Sequence, residues 1–303
     1  MKQLRYYFNY VDTCNMCGSL PKRHKILGQR LNESQGFDPE SKVGVSISVL
    51  QCRDCGLIFS NPQPVPFDIQ DHYGLPPEDY WKPEYFKIDK TYFDHQIATT
   101  KKLSQFTEGM KALDIGAGLG KCMISLENAG YDVYGFEPSV PFYNKAIELM
   151  KIPSEKLKLG MIEEVDYPDN FFDFITFGAV LEHLYDPSAA VQKSLRWLKP
   201  GGLIHIEVPS SKYLIPKIFN FYFGLGDSNY VNNLSPMHRP FHLYEFAIES
   251  FKHHANHNNY EIAYREYYVC DVYFLPKIFH PLLKWYMKKT NKGMQLAVWL
   301  RKQ

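Results

Sequence analysis

The sequence of 303 residues lacks the marks of export and of membrane insertion. Its amino terminus, MKQLRYYFNY, has neither an apolar core region nor a small-residue cleavage site, so no secretory signal is read there. No run of about 18 uncharged apolar residues occurs, which speaks against a transmembrane helix. An excess of charge is missing too. The 34 Lys and Arg face 33 Asp and Glu, and a formal net charge of +1 gives no global reason to expect a polyanionic partner. Internal repeats and low-complexity tracts are absent. The expectation is a cytoplasmic protein, whose six cysteines then act as ligands or buried thiols rather than as disulfides. What the sequence does have is 45% hydrophobic residues, over a length that suits one large domain or a core domain with a small appendage.

Four of the cysteines fall in residues 1–61, as Cys14-Asn15-Met16-Cys17-Gly18 and Cys52-Arg53-Asp54-Cys55-Gly56. Two residues between paired cysteines let both thiolates point at one centre, and the glycine frees the backbone to turn under the sulfurs. Two such knuckles match a closed tetrahedral zinc site, with Cys14, Cys17, Cys52 and Cys55 as ligands of a small zinc-ribbon-like module. Val43, Val45, Ile47 and Val49 alternate with Gly44, Ser46 and Ser48, a half-buried strand running into the second knuckle. The gap between knuckles predicts a projecting loop around Leu31–Lys42. A two-cysteine redox pair is the weaker reading, because nothing βαβ-like surrounds either knuckle.

Residues 62–89 form a connector rich in proline and aromatics, among them Pro62, Pro64, Pro66, Tyr80, Trp81, Tyr85 and Phe86. Proline favours extended paths, so the segment reads as an ordered strap rather than an element. It either packs the small domain onto the large one or lays its Tyr80-Trp81 end over an active site.

From about Lys90 the pattern alternates between strands and helices. Strands are expected at Lys111–Ile115, Asp132–Phe136, Lys156–Leu159, Phe172–Phe177 and Leu203–Val208. A helix begins at Asp186 as N-cap with Pro187 at its first position, and ends at Lys199-Pro200-Gly201-Gly202. This order implies a doubly wound α/β fold, a mostly parallel sheet covered on both faces, with its site beyond the carboxyl ends of the strands.

After the first of these strands comes Leu113-Asp114-Ile115-Gly116-Ala117-Gly118-Leu119-Gly120-Lys121. A nicotinamide dinucleotide turn needs Gly-x-Gly-x-x-Gly, and here Lys121 stands where the last glycine belongs. The acid-glycine pattern instead resembles the first motif of class I S-adenosylmethionine-dependent methyltransferases. Glu137, seventeen positions past Gly120, ends the second strand, where a carboxylate can accept both ribose hydroxyls. The segments FFDFITFGAVLEHLYDP, LKPGGLIHIEVP and GMQLAVWLRK resemble the same family's later elements, the last being its final antiparallel strand. The resemblance covers residues 90–303 and implies a seven-stranded Rossmann-like sheet. It also implies cofactor contacts from Asp114, Gly116, Ala117, Gly118, Gly120, Glu137 and Pro138. Ile162 and Glu163 would frame the adenine, with Phe177 and Gly178 at the end of the fourth strand. Together, the knuckles, CGLIFSNPQP, the tyrosine-rich strap and this domain look like bacterial methyltransferases acting on sugars and cell-surface polysaccharide precursors. The sugar C-methyltransferases of that group carry a further large domain, so an oxygen or similar heteroatom is the expected acceptor. Small-molecule or glycan acceptors follow from that resemblance.

Within LEHL, His183 lies just past the fourth strand and is the candidate general base, the alternative being that Glu182 and His183 cap the turn. A metal-assisted version with Glu182, His183 and His242 as ligands matches no recognised spacing. The insertion 210–241 is rich in aromatics (Tyr213, Phe219, Phe221, Tyr222, Phe223, Tyr230) and ends in SPMHRPFHLYEF. It reads either as an acceptor site, with His238, Arg239 and His242 for a phosphate or hydroxyl, or as a helical flap on the core. Residues 272–303 carry seven Lys or Arg and no acid, as an ordinary basic helix or as one lying on a membrane surface. An RNA methyltransferase gripping nucleic acid through residues 1–60 is the rival enzyme. Eight cations against five acids there, net +3, are mild for phosphate-backbone binding and speak against it. A decayed cofactor-binding scaffold is argued against by the intact glycine turn and Glu137.

Overall fold

The computed structural model describes residues 6–31, 45–73, 81–226, 228–270 and 276–303. Along the chain run β1 (Tyr6–Asn9), β2 (His24–Leu31), β3 (Ser46–Cys52), β4 (Ile58–Asn61), β5 (Gln63–Pro66), α1 (Gln70–Tyr73) and α2 (Asp94–Leu103). Then follow β6 (Lys111–Ile115), α3 (Lys121–Asn128), β7 (Asp132–Glu137), α4 (Val140–Glu148), β8 (Leu157–Leu159), β9 (Phe172–Gly178), α5 (Pro187–Trp197) and β10 (Leu198–Pro209). The chain closes with α6 (Leu214–Leu225), β11 (Tyr244–Glu245), α7 (Ile248–Ala255), β12 (Tyr260–Tyr268), α8 (His280–Lys289) and β13 (Gln295–Lys302).

Seven strands make the main sheet, in the order β12-β13-β10-β9-β6-β7-β8. The strands from β10 to β8 are parallel, while β13 runs antiparallel to both β10 and β12. Alternation along the strands feeds two separate cores. Leu113, Ile115, Phe136, Ile175 and Phe177 point to the face covered by α5 and α7, whereas Ala112, Val133, Leu157 and Phe174 meet α2, α3 and α4. Burial on both faces is what a parallel sheet requires. Chain order reverses about β6, which puts a crevice at the carboxyl ends of β6 and β9. Asp186 caps α5 as its sequence announces, its carboxylate accepting the Ala189 amide at 3.0 Å.

A second, four-stranded sheet has the order β11-β4-β3-β2. Its edge strand β11 comes from far along the chain, Tyr244 pairing with Phe59 and Glu245 with Ile58. Cys14, Cys52, Cys55, Leu57 and Phe59 share one buried core with the strands and helices of the large sheet. The amino-terminal residues are therefore joined to the rest by a shared sheet and a shared core.

The connector differs from its sequence reading. It contains β5, paired antiparallel with β1 from Tyr6↔Pro66 to Asn9↔Gln63. A two-stranded ribbon tolerates Pro64 and Pro66 because a proline on an edge needs no amide donor. Lys199-Pro200-Gly201-Gly202 likewise forms an irregularity within β10, between Leu198 and Leu203, after α5 has ended at Trp197. Val43, the loop around Leu31–Lys42 beyond Leu31, and Tyr80 lie outside the described residues. Among the described residues no helix is long and apolar enough to cross a membrane.

Candidate active site and cysteine cluster

Two hollows open at the switch point. The first, about 250 Å³, lies between Ile115, Gly116, Phe136, Glu137 and Pro138 on one side and Met161, Ile162 and Glu163 on another, closed by Ala179, Val180, His183, Leu184 and Tyr185. The second, about 390 Å³, is lined by Gly116, Ala117, Gly118, Leu119 and Lys121, by His72, Tyr85, Tyr92 and Phe142, and by His183, Arg239, Pro240 and Phe241. Gly116 and His183 belong to both. These two residues therefore stand at the boundary between the hollows.

The glycine turn takes this path because its three glycines have positive φ, +69 at Gly116, +55 at Gly118 and +76 at Gly120. A side chain at Gly116 would come within 2.7 Å of Val180, whereas one at Gly118 would meet nothing and would stand in open space. Gly118 therefore leaves room at the mouth of the second hollow, and Gly116 allows the close approach of β6 to the turn after β9. Gly120 lines neither hollow and opens α3.

Glu137, at the end of β7, accepts the Gly118 amide at 2.7 Å and the Ser139 amide at 2.8 Å. Burial pushes its carboxyl up to about 7 against the opposing pull of these two amides. Asp114 sits beneath the turn, 4% exposed, and one of its oxygens has no protein partner. Burial, with the neighbouring Glu137 charge, raises its pKa to about 8. Ile162 and Glu163 are held at the rim by Lys193, whose ammonium donates to both their carbonyls at 2.8 and 3.1 Å. Of the contacts expected at the end of β9, Phe177 is sealed in the core and Gly178 lines neither hollow. Ala179 and Val180 occupy that wall instead.

Glu182, His183 and His242 come together, with one potential ligand atom from each within 4.8 Å of the others. His183 Nδ1 lies 3.3 Å from the Phe241 carbonyl, which leaves Nε2 for other contacts when Nδ1 carries the proton. Burial lowers His183 to about 4, so its ring is neutral at physiological pH. His242 Nε2 is 3.7 Å from the fully buried Glu182 carboxylate, whose second oxygen is unpaired. Burial lowers His242 to about 3 and raises Glu182 to about 8. His183 alone of the three reaches the hollows.

The insertion contributes differently from expectation. Arg239, Pro240 and Phe241, at its carboxyl end, line the second hollow, but none of its aromatics from Tyr213 to Tyr230 does. His238 turns to Arg30 of β2, 3.3 Å away. The connector also reaches the site, through Ile69, His72 and Tyr85. Gln70 clamps it there, donating to the Pro138 carbonyl at 2.8 Å and accepting the Val140 amide at 3.2 Å. Trp81 packs beside the site on α4, its ring 5.4 Å from Phe142 and under Lys145. His72 stacks on Phe241 at 3.9 Å, joining the strap to the insertion. Sequence reasoning missed Ile69, His72, Tyr92 and Lys121; only Lys121 carried a signal, as the residue directly after the glycine turn.

The four cysteines of the knuckles converge. Cys14 Sγ is 3.5 Å from Cys55 Sγ, and Cys17 Sγ is 3.6 Å from Cys52 Sγ. All four sulfurs lie within 4.8 Å of one another. A tetrahedron with Zn–S bonds of about 2.3 Å has edges of about 3.8 Å, so the cluster has the size of that cage. Asp54, between the second pair, is held by Ser19 and Arg23 from the first knuckle's side. Cys122 and Cys270 stand apart.

A family profile described as a methyltransferase domain matches residues 90–264. An uncharacterized methyltransferase of Schizosaccharomyces pombe is 32% identical over 120 residues, covering 36% of this chain and 43% of that protein. Phosphoethanolamine N-methyltransferase 3 of Arabidopsis thaliana is 32% identical over 116 residues, 36% of this chain and 24% of that one. A ubiquinone/menaquinone biosynthesis C-methyltransferase of Shewanella woodyi is 31% identical over 127 residues, 38% and 49% of the two chains. The matched part of the chain spans less than half the length of these curated relatives. Among solved structures, a SAM-dependent methyltransferase of Methanosarcina mazei is similar at 19% identity, with a TM-score of 0.47 over 65% of this chain and 94% of that one. With the profile running over more than half of the chain, through the glycine turn and the insertion, the chain belongs to the methyltransferase-domain family.

Proposed function

We propose that the protein is an S-adenosylmethionine-dependent methyltransferase whose acceptor is a carbohydrate or nucleotide-sugar carrying negative charge. The observation that carries this reading is the pair of hollows joined at Gly116 and His183. Glu137 would take the ribose hydroxyls, Ile162 and Glu163 the edge of the adenine, and the Gly116–Gly118 backbone the methionine part. Asp114, buried with an unpaired oxygen under the turn, fits a role in holding that turn or the amino group. The cofactor supplies an electrophilic methyl group on a sulfonium, whose departure as a neutral thioether needs no acid.

The second hollow supports the acceptor class. Among the described residues, Lys121 and Arg239 bring positive charge to it, no carboxylate lines it, and Tyr85, Tyr92, Phe142 and Phe241 offer ring faces. Cations suit a phosphate, and aromatic faces suit a sugar or base. His183 lines both hollows and is neutral, so it would be available to receive an acceptor hydroxyl's proton. Holding the oxygen in line with the methyl carbon then provides much of the acceleration. The cysteine cluster would hold a structural zinc, closing a module that is short of core.

Transfer of label from S-[methyl-³H]adenosylmethionine tests this, against nucleotide sugars, uncharged glycans, phosphoethanolamine and RNA. Labelling of a nucleotide sugar is expected. Labelling of RNA or of phosphoethanolamine alone would overturn the acceptor class, and no cofactor binding by calorimetry would overturn the whole reading.

A further inference from the structure

Helices α6 and α8 pack on each other through Ile215 and Met287, with Phe219 and Leu283 beside them. Each still turns a second apolar face to solvent. On α6 this face is Ile218, Phe221, Tyr222 and Leu225, spaced i, i+3, i+4, i+7. On α8 and the turn before it the face is Ile278, Phe279, Leu282 and Trp285. Phe221 is 71% exposed, Leu282 67% and Trp285 57%. Isolated exposed apolar residues are ordinary, but two adjacent helices each showing a full stripe mark a surface that meets something.

Charge decides what that partner is. Lys277, Lys284, Lys288, Lys289 and Lys292 lie along or beside α8, Lys217 lies on α6, and residues 276–303 contain no acid. A second copy of the chain docking here about a two-fold axis would set this lysine cluster against itself. A layer of anionic headgroups over acyl chains answers both features, with aromatic rings at the boundary and lysines at the phosphates. The sheet fixes where this surface lies. The Ser210 amide donates to the Met294 carbonyl at 2.9 Å and the Leu214 amide to the Lys292 carbonyl at 3.2 Å. Both helices are thereby tied to the carboxyl end of β10, the same end of the sheet on which the two hollows open.

We propose that α6 and α8 form a peripheral docking surface for an anionic lipid bilayer, with Phe221, Leu225, Leu282 and Trp285 entering the interface and the α8 lysines contacting the headgroups. The proposal stands independently of the acceptor's identity. Co-sedimentation of the full chain with phosphatidylcholine vesicles, with and without phosphatidylglycerol, tests it. Binding is expected only when phosphatidylglycerol is present, and it should weaken as salt rises. The K288Q/K289Q pair, both exposed lysines, should weaken it about thirtyfold at about 1 kcal/mol per lysine. Brominated lipid should quench the tryptophan fluorescence of the parent, and Trp285→Phe should remove that quenching while the thermal melt stays that of the parent. Absence of co-sedimentation, quenching unchanged in Trp285→Phe, or a dimer in light scattering that Trp285→Ala dissolves would each overturn the proposal.

Discussion

The Glu137 carboxylate accepts the Gly118 amide at 2.7 Å, tying the end of β7 to the glycine turn that follows β6. The acid and the turn are thus one preformed unit. Both ends of that carboxylate are already engaged, by Gly118 and Ser139, and each oxygen retains capacity for a ribose hydroxyl. Glu137→Ala should therefore weaken S-adenosylmethionine binding about a hundredfold, from the loss of two charge-assisted hydrogen bonds at roughly 1.5 kcal/mol each. Isothermal calorimetry reads it directly. Unchanged affinity would remove Glu137 from the cofactor site, and NADH should show no comparable binding to the parent.

Titration of the same residue gives a second expectation. Burial raises the Glu137 pKa from its usual 4.5 to about 7, so the fold holds a proton there that the unfolded chain has released. Stability depends on pH through that difference: it is fully present below the unfolded value and declines as pH rises through the folded value. The parent should therefore lose thermal stability relative to Glu137→Gln as pH rises from about 5 to 8, in the absence of cofactor. Asp114, raised to about 8 by burial and in part by the Glu137 charge, is present in both proteins, so the comparison cancels only the share of its slope that burial causes. A gap between the two melting curves that stays constant with pH would mean that Glu137 is ionised throughout.

Much of this site could be read from the chain because its determinants are local. Gly116, Gly118 and Gly120 are needed by a turn that begins and ends within a few residues, and Glu137 is placed by the length of one helix and one strand. The cysteine knuckles announce themselves in the same way. Pairings between distant segments left no such mark. β5 with β1, and β11 with β4, join residues about 57 and about 185 positions apart, and nothing in the local periodicity of either partner encodes the match. The same reason hid His72, which enters the second hollow because Gln70 and the Phe241 ring fix the strap over it, and Tyr92, which lines that hollow from beyond the strap. The aromatics of α6 misled in the opposite sense. Their number suggested an acceptor site, but their helical spacing divides them between the contact with α8 and the solvent face.

Zinc analysis offers a third test. One zinc per chain is expected in protein purified without chelator, held by Cys14, Cys17, Cys52 and Cys55. The consequence of losing it should travel along a defined route. Ser250 Oγ donates to the Cys55 carbonyl at 3.0 Å, and β11 hangs on β4 just after the second knuckle. Cys52→Ser, or stripping by a strong chelator, should thus raise hydrogen exchange in residues 243–251 as well as in β3 and β4. Amides of β6 and β7 should keep their protection, because their partners are β9, β8 and each other. Protein free of zinc with full protection in 243–251 would show that the thiols pack without metal.

On the proposed reading, His183 is the residue on which the chemistry would turn. Its backbone sits in a 3-10 turn, Leu181–His183, directly after β9, and its ring is wedged against the Phe241 carbonyl and edge-on to His242. That wedge fixes the ring between the two hollows. A base must be unprotonated when the acceptor arrives, and burial, by lowering the pKa to about 4, keeps the ring neutral down to that pH. Neutrality makes the base available but weak, so it acts by receiving a proton as the oxygen–carbon bond forms rather than by ionising the hydroxyl beforehand. His183→Ala should lower turnover by about 10²- to 10⁴-fold, while cofactor affinity changes little. The fall in kcat/KM at acid pH that belongs to His183 should vanish in the same variant. The test separates this role from a merely structural one, since loss of the Phe241 contact alone would raise the acceptor's KM and leave the pH profile in place. Normal turnover in His183→Ala would assign the proton to solvent and leave His183 as the brace between the turn and the insertion.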